Sequence, residues 1–347
     1  SGIATWAESN AVCFSNTWTS LITNRESGLS ALATALTGFA PRWGLHLDAN
    51  RVPNMRVHVE CEMRHLSDWS VLGDWIGKQV LPEWDMPYGP MPYLTGLPDT
   101  MSFGSKKALT AAAANYGCPM LWAEGHSAAP PLAVDDSGHF SSPEGGWQGT
   151  LRFTQDDLDQ RYDELAPKGQ VDLVVIGCPQ ASLEELRLTA AALENHMEEG
   201  RTVPNHRLWV FTSGENYAVA EAEGTVQLLE EGGALLLKDT CPEVTPYNRT
   251  KYKHLLTNSL KAEHYLTSGL NRLPTSVMPI AACVAHAIDP NLSQGPSPVL
   301  TSKAQPQHAS SKRHQSGSLS LEGSGLRSQE GFAVRGRALV TDVPITY

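Results

Sequence analysis

The sequence predicts an α/β protein in which parallel strands alternate with helices, and three observations within residues 171–242 support that class. Three short apolar runs, rich in β-branched residues, have the pattern of strands; each is followed by a turn, and helical patterns separate them. This alternation is typical of a parallel sheet in an α/β layer. The helices are predicted from Ser182 to about Met197 and from about Asn216 to Glu231. The strands are VDLVVIG (171–177), LWVFT (208–212) and ALLLKD (234–239).

Two cysteines follow strands of this predicted sheet. Cys178 comes directly after the first strand, and Cys241 comes shortly after the third. In such sheets ligands bind beyond the carboxyl ends of the strands, and parallel strands would bring both cysteines to the same edge. Two thiols that converge there favour a metal or redox site. The alternative is that each cysteine is a small buried residue of the core, as cysteine usually is.

Residues 1–30 are rich in serine, threonine, asparagine and aromatic residues, and a short helix is predicted at 29–38, ending at Gly38. This composition predicts a loop that presents hydrogen-bond donors to an anionic ligand. The alternative is a solvated connection, because these residue types are common in turns. The polar residues of the run include Glu8, Ser9, Asn10, Ser15, Asn16, Thr23, Asn24, Arg25 and Glu26.

The elements between this run and the central units follow from periodicity and composition. A segment rich in Gly, Pro, Ser and Asp, from Ala128 to about Trp147, predicts a surface insertion. The other predicted elements are a strand at 55–63, an amphipathic helix at 66–80, a proline-rich turn region at 82–98, an alanine-rich helix at 106–116, a strand at 118–125 and a helix from Thr154 to about Leu165.

After Cys241 a short helix is predicted to start near Ser259. A helix amino end that bears Ser259 and Lys261 is a natural anion site, and a simple helix cap is the alternative. We predict three regions: a globular region at 1–287, a flexible linker at 288–330 and the start of a second domain at 331–347. The linker is inferred from a low-complexity composition with almost no aromatic residues, and the second domain from renewed strand-like alternation.

The net charge, the apolar content and the cysteine count indicate which partners and which cellular location to expect. The net charge of −11 argues against a nucleic-acid partner, and no apolar run approaches the roughly 20 residues that span a bilayer. Six cysteines without a dense framework fit a reducing compartment, and no signal peptide is recognisable, so a cytoplasmic location is expected. The chain starts in what resembles the middle of a domain, so we expect a fragment of a longer protein.

Several motifs of common enzyme classes are absent from the sequence. There is no phosphate-binding G-x-x-x-x-G-K-[ST] loop, no G-x-S-x-G elbow, no H-E-x-x-H and no C-x-x-C pair. The strands of the central units also lack a following G-x-G-x-x-G. This absence weakens the alternative of a nicotinamide-dependent oxidoreductase.

Several segments, in this order, resemble the aconitase X family, a hydro-lyase branch of the aconitase superfamily. The resemblance covers most of residues 1–285 apart from 128–153, and it resumes at 332. The segments are TWAESNAV (5–12), TNRESGLSALATALTG (23–38), GLHLD (44–48), VVIGCPQASLEEL (174–186), KDTCPEV (238–244), TNSLKAEHY (257–265) and GRALVTDVPITY (336–347).

The resemblance implies an aconitase-like catalytic region with parallel βαβ units, followed by a linker and the start of a β-rich swivel domain in the same chain. It implies that Cys178 and Cys241 are two ligands of an iron–sulfur cluster, of the 2Fe-2S type more typical of fused members. A third cysteine is expected upstream of this chain. Thiolates suit such clusters because both are soft.

The family's reaction is loss of water from a small hydroxy acid. The fused arrangement favours conversion of cis-3-hydroxy-L-proline to Δ1-pyrroline-2-carboxylate; dehydration of mevalonate 5-phosphate, typical of two-subunit members, is the alternative. The resemblance implies that Ser259 is the base or its neighbour and that Lys261 binds the substrate carboxylate. The residues expected to line the substrate pocket are Ser9, Asn10, Asn16, Thr23, Asn24 and Arg25.

Three positions depart from the family pattern. Leu260 stands where the family usually has glycine, and it would be strained if the backbone had a positive φ there. Ile22 replaces an arginine, which removes a bidentate partner for a carboxylate. WAEGHSAAPPL (122–132) replaces a different family motif. These departures favour, as an alternative, a catalytically lapsed homologue with a binding or regulatory role.

Overall fold

A computed structural model of the protein describes residues 2–136 and 140–289. Within these ranges the fold is a mixed α/β arrangement of two parallel sheets and one two-stranded parallel pair, which confirms the predicted fold class. Almost all of the predicted linker (288–330) and the predicted start of a second domain (331–347) lie outside the described residues.

The amino-terminal segment folds as strand, helix, strand and helix. β1 (Gly2–Trp6) pairs in parallel with β2 (Leu21–Arg25), and α1 (Ser9–Trp18) connects them. The prediction of a loop over residues 1–30 is therefore wrong. The reason is that its polar side chains are hydrogen-bonded inside the protein: Asn16 alone exchanges two bonds of 2.9 Å with the backbone of Thr23.

The helix that follows, α2 (Gly28–Thr37), is confirmed where the sequence predicts it. Ser27 caps its amino end, accepting a hydrogen bond from the Ser30 amide at 3.1 Å, and Gly38 ends it with φ of 75°. Leu29, Leu32 and Leu36 all point outward from this helix, which buries none of its residues.

A four-stranded parallel sheet lies next in the chain, in the order β5-β4-β3-β6. β4 falls in the region predicted to be a turn, because its prolines obscure a fully buried strand. β6 falls just after the predicted surface insertion and inside the wider gap in the family resemblance, and β5 is much shorter than the predicted strand at 118–125. The strands are β3 (Met55–Val59), β4 (Pro92–Thr95), β5 (Trp122–Ala123) and β6 (Gly149–Phe153).

Three helices accompany this sheet, and two of them cross at very short range. These are α3 (Leu66–Lys78), α4 (Phe103–Ala114) and α5 (Gln155–Leu165). At Gly73 of α3, a Cβ atom would lie 2.4 Å from the Leu109 carbonyl oxygen and 2.8 Å from the Ala113 nitrogen of α4. The close approach of the two helix backbones therefore depends on a residue without a side chain.

We expect Gly73→Ala to lower the free energy of unfolding by about 1–3 kcal/mol, because the added methyl group meets backbone atoms that cannot move independently. Chemical denaturation followed by circular dichroism would measure the change. Gly28→Ala is the matched control: it is also at a helical glycine, but a Cβ there meets nothing within 4 Å, so stability should stay the same or rise by up to about 1 kcal/mol. Equal destabilisation by both substitutions would contradict the packing argument.

The carboxyl-terminal part of the described chain contains a five-stranded parallel sheet in the order β11-β10-β7-β8-β9. Its central strand is buried over most of its length. The three strands predicted within 171–242 are all present. The strands are β7 (Leu173–Ala181), β8 (Leu208–Thr212), β9 (Ala234–Lys238), β10 (Leu255–Thr257) and β11 (Thr275–Val277).

Five helices flank this sheet. The single helix predicted at 216–231 is in fact two, since Gly224 adopts a φ of 81° and interrupts it. Among residues 2–136 and 140–289, no helix has both the length and the apolar character needed to cross a bilayer. The helices are α6 (Leu183–Met197), α7 (Gly214–Ala222), α8 (Thr225–Glu231), α9 (Leu260–Ser268) and α10 (Ile280–Ile288).

Candidate functional site

A cleft of 1160 Å³ lies at the carboxyl edge of the five-stranded sheet. Its walls come from the carboxyl-terminal half of β7, from the segments that follow β8 and β9, from the first turns of α4 and α9, and from the amino-terminal segment at the start of α1 and the end of β2. Because all strands of this sheet are parallel, their carboxyl ends converge at this edge, where α/β proteins bind ligands.

Both Cys178 and Cys241 line this cleft. The regular pairing of β7 with β8 is interrupted between Ile176 and Ala181, so Cys178 lies in an irregular stretch of the strand. Gly177 precedes it with φ of 111°, and a Cβ at Gly177 would lie 2.1 Å from the Phe211 carbonyl oxygen. Only glycine fits this position, and it directs the chain so that the thiol faces the cleft.

The two thiols differ in their protonation. Hydrogen bonding with Cys178, the backbone amides of Glu243 and Val244 and the charge of Lys261 together lower the pKa of Cys241 to about 6, although burial acts in the opposite direction. Hydrogen bonding with Cys241 and burial raise the pKa of Cys178 well above its usual value. Cys241 is therefore a thiolate at neutral pH, and thiolates are the form that binds metals.

Lys261 is the cation beside the two cysteines. It lies in the first turn of α9 and is almost fully buried. Its ammonium donates hydrogen bonds to the Glu8 carboxylate and to Asn10 Oδ1 at the start of α1. The cleft thus brings the predicted anion-binding lysine to the predicted metal-binding cysteines, from segments far apart in the chain.

Ser259 is close to this group but is not among the residues that line the cleft. Its hydroxyl donates to the Cys178 carbonyl oxygen at 2.5 Å and accepts from the Ala262 amide at 3.3 Å, which caps α9. Leu260, the next residue, is helical and fully buried, and its amide donates to Ser70 Oγ at 2.8 Å. The strain expected for a leucine with positive φ is therefore absent.

The six residues predicted to bind substrate fall into two groups. Ser9, Asn10 and Arg25 line the cleft. Asn16, Thr23 and Asn24 do not line it; they are buried and hold the amino-terminal segment together. Asn16 Nδ2 also donates to the Pro119 carbonyl oxygen at 3.0 Å, Thr23 Oγ1 donates to the Asn24 carbonyl oxygen at 2.8 Å, and Asn24 Oδ1 accepts from the Leu45 amide at 2.6 Å.

Arg25 is the exposed cation at the end of β2. Within the part of the chain that the structure describes, its guanidinium has no hydrogen-bond or ion-pair partner, and it is therefore available to an anionic ligand. Ile22, at the position where an arginine was expected, pairs with Ile3 between the strands and does not line the cleft.

Several cleft residues were not among those predicted from the sequence. Glu8 was noted only as one polar residue among many, and Lys107 lies in a stretch whose alanine-rich pattern indicates a helix and nothing more. Gln180 Nε2 donates to the Thr240 carbonyl oxygen at 3.0 Å and so joins the two cysteine-bearing turns. The sequence does not indicate the role of such side chains, because that role depends on partners that are distant in the chain.

The fold and the cleft together define an α/β protein with a thiol-lined ligand site at the carboxyl edge of a parallel sheet. Two models of known domains match the chain: the aconitase X first domain at residues 2–49 and the aconitase X third domain at residues 171–289. The chain belongs to the aconitase X family, as the resemblance in the sequence predicted.

Three known proteins show the extent of the similarity. The phosphomevalonate dehydratase large subunit of Methanothermobacter thermautotrophicus is 32% identical over 261 residues, which are 75% of this chain and 60% of the relative. The cis-3-hydroxy-L-proline dehydratase of Pseudomonas aeruginosa is 32% identical over 296 residues, 82% of this chain and 47% of the relative. The chain thus spans 60% or less of the length of either relative.

The crystal structure of Thermococcus kodakaraensis aconitase X in its holo-form superimposes with a TM-score of 0.68. The two proteins are 28% identical, and the match covers 81% of this chain and 67% of the other.

The family's fold implies an iron–sulfur cluster, and the cleft residues fit one in part. Cysteine sulfurs, bound as thiolates, are the donor type that such clusters need, and this cleft provides two of them. In the described ranges, no group of three or more histidine, cysteine, aspartate or glutamate residues is arranged to hold a metal ion. Cys178 and Cys241 are thus two thiols of the right type, and they do not make up a full ligand set by themselves.

Proposed function

We propose that this protein is a hydro-lyase that removes water from a small hydroxy acid at the cleft, with an iron–sulfur cluster bound through Cys178 and Cys241. The observation that carries the proposal is the meeting of these two thiols with Lys261 in one cleft. The names of its relatives support the reaction class, since those proteins are dehydratases. Held by these two thiols, such a cluster would supply a Lewis acid for the departing hydroxide.

The chain's own residues have separate tasks in this proposal. Lys261 binds the substrate carboxylate, which takes the place that the Glu8 carboxylate holds in the structure. Arg25, with its free guanidinium, binds a second acceptor on the substrate. Ser9 and Asn10, at the first turn of α1, provide further donors. Asn16, Thr23 and Asn24 do not contact the substrate; their hydrogen bonds hold the amino-terminal segment in place.

The proton next to the substrate carboxylate needs an acceptor. Ser259 remains the proposed base or the neighbour of the base, because it lies between the Cys178 turn and Lys261. To act as the base, its hydroxyl must release the Cys178 carbonyl and pass its own proton to another acceptor, so that the alkoxide takes the substrate proton. The Glu8 carboxylate, which shares the Lys261 ammonium, is the second proton acceptor that the cleft offers.

We propose cis-3-hydroxy-L-proline as the substrate, with Δ1-pyrroline-2-carboxylate as the product. The charges of the cleft favour this choice over mevalonate 5-phosphate. Four carboxylate residues line it, Glu8, Glu26, Asp239 and Glu243, against three cationic residues, of which Lys107 is already paired with Glu185. A zwitterion with one carboxylate and one ammonium group suits this balance better than a phosphate ester does.

The full-length product of the reading frame, purified without oxygen, would test the proposal. We expect it to convert cis-3-hydroxy-L-proline to the cyclic imine acid, measured by trapping the imine, and to act at least tenfold more slowly on mevalonate 5-phosphate. Preference for the phosphate ester would overturn the substrate assignment. No turnover of either compound by protein with its full iron content would instead support the alternative of a lapsed homologue that binds without reacting.

A further inference from the structure

The backbone that follows Gly177 is held by side chains from outside its own strand. Four consecutive carbonyl groups, at residues 178–181, each accept a hydrogen bond from a side chain, where a regular strand would use backbone amides. The bonds are Ser259 Oγ to Cys178 O at 2.5 Å, Lys107 Nζ to Pro179 O at 3.3 Å and to Gln180 O at 2.7 Å, and Thr212 Oγ1 and Asn216 Nδ2 to Ala181 O at 2.8 and 3.1 Å.

Lys107 is the charged member of this set of donors. It reaches the turn from α4, its side chain is only 10% exposed, and its ammonium also forms an ion pair with the Glu185 carboxylate. An ammonium has three donors, and the two carbonyls and the carboxylate use all three. Although Lys107 lines the cleft, it therefore has no donor left for a substrate.

Glu185 connects Lys107 to the segment that precedes α9. It accepts from the Ser182 amide at 2.9 Å, at the amino end of α6, and from Asn258 Nδ2 at 3.3 Å. Asn258 directly precedes Ser259. One buried ion pair thus links the turn after Cys178 to the segment that carries Ser259 and Lys261.

We propose that Lys107 is a positioning residue of the site. It holds the Cys178 turn, and through Glu185 and Asn258 the Ser259 segment, at a fixed separation, so that the cluster ligand and the substrate-binding groups face each other. The inference rests on the proposed function in one respect, namely that Cys178 is a cluster ligand.

The test compares Lys107→Met, Lys107→Arg and Lys106→Met in the full-length protein purified without oxygen. Iron and sulfide content, the visible spectrum and the electron paramagnetic resonance spectrum of the reduced protein would be measured. We expect Lys107→Met to hold at least threefold less iron and to show altered spectra, and Lys107→Arg to restore part of both. Lys106→Met is the matched control: Lys106 is the adjacent residue, and its ammonium lies 5.3 Å from the Trp18 ring centre, outside the cleft.

A second variant distinguishes a loss of positioning from a loss of folding. Lys107→Met alone leaves a buried carboxylate without its cation, whereas Lys107→Met/Glu185→Gln removes both charges. The double variant should fold and still show low iron and altered spectra. Normal iron and unchanged spectra in the double variant would overturn the positioning role, even if its melting temperature fell. Wild-type protein that holds no iron would overturn the proposed function itself, and the two failures are thereby distinguished.

Discussion

Cys178→Ser and Cys241→Ser should each lower the iron content of the anaerobically purified full-length protein at least tenfold and remove the proposed dehydratase activity. The reason is that a serine hydroxyl is a hard, protonated donor, whereas the cluster requires a soft thiolate. Iron and sulfide analysis, together with the visible spectrum, would measure the loss.

Cys61→Ser is the control for this result. Cys61 is half-buried, its sulfur lies 3.6 Å from that of Met63, and it is not among the residues lining the cleft. Its replacement should leave the iron content unchanged. Full iron in both Cys178→Ser and Cys241→Ser would show that these thiols are not ligands.

Lys261→Met should lower kcat/KM for the hydroxy acid by a factor of about 30 to several thousand. Removing one partner of a desolvated, hydrogen-bonded charge pair costs about 2–5 kcal/mol, and each 1.4 kcal/mol or so is a factor of ten. Steady-state kinetics on the purified protein would give the factor. Lys253→Met, at an exposed lysine outside the cleft, is the control and should leave kcat/KM unchanged.

The stability of Lys261→Met separates a role in binding from a role in folding. The Glu8 side chain is 62% exposed, so water can solvate its carboxylate once the lysine is gone, and the free energy of unfolding should fall by less than about 1 kcal/mol. A large loss of stability with unchanged kcat/KM would mean that Lys261 supports the structure and does not bind the substrate.

The parallel fold of residues 171–242 was predictable because a buried strand has a direct signature in the sequence. Apolar β-branched runs such as 173–176 have few alternatives once helices flank them. The place of the site followed from the same reasoning, since Cys178 and Cys241 had to reach one edge if the sheet was parallel. The regular alternation of strands and helices therefore predicts both the parallel sheet and the edge of the sheet at which ligands bind.

The amino-terminal segment was not predictable in the same way. Asn16, Thr23 and Asn24 have the composition of a loop, but each finds a partner at long range in the fold. Asn16, for example, bonds to the backbone of Pro119. Residue type alone therefore could not separate Asn10, which faces the cleft, from Asn16, which supports it.

Lys107 illustrates a further limit. A lysine in an alanine-rich helix is expected to face water, and the Glu185 carboxylate and the carbonyls of Pro179 and Gln180 explain why this one does not. The pairing joins positions that are distant in the sequence, and no local pattern indicates it. The start of α9, in contrast, was predictable from the sequence near Ser259. Leu260 is the first residue of that helix, so it has an ordinary helical backbone and is not strained.

The order of the strands affects how this chain can be synthesised and folded. β3 pairs with β6, which places Met55 opposite Gly149, and β7 pairs with β10, which places Leu173 opposite Leu255. Closing such long loops costs entropy before the contacts form. While a ribosome is still making the downstream partner, each of these central strands has an open edge that can pair with another chain. Slow translation would lengthen the time for which these edges stay unpaired.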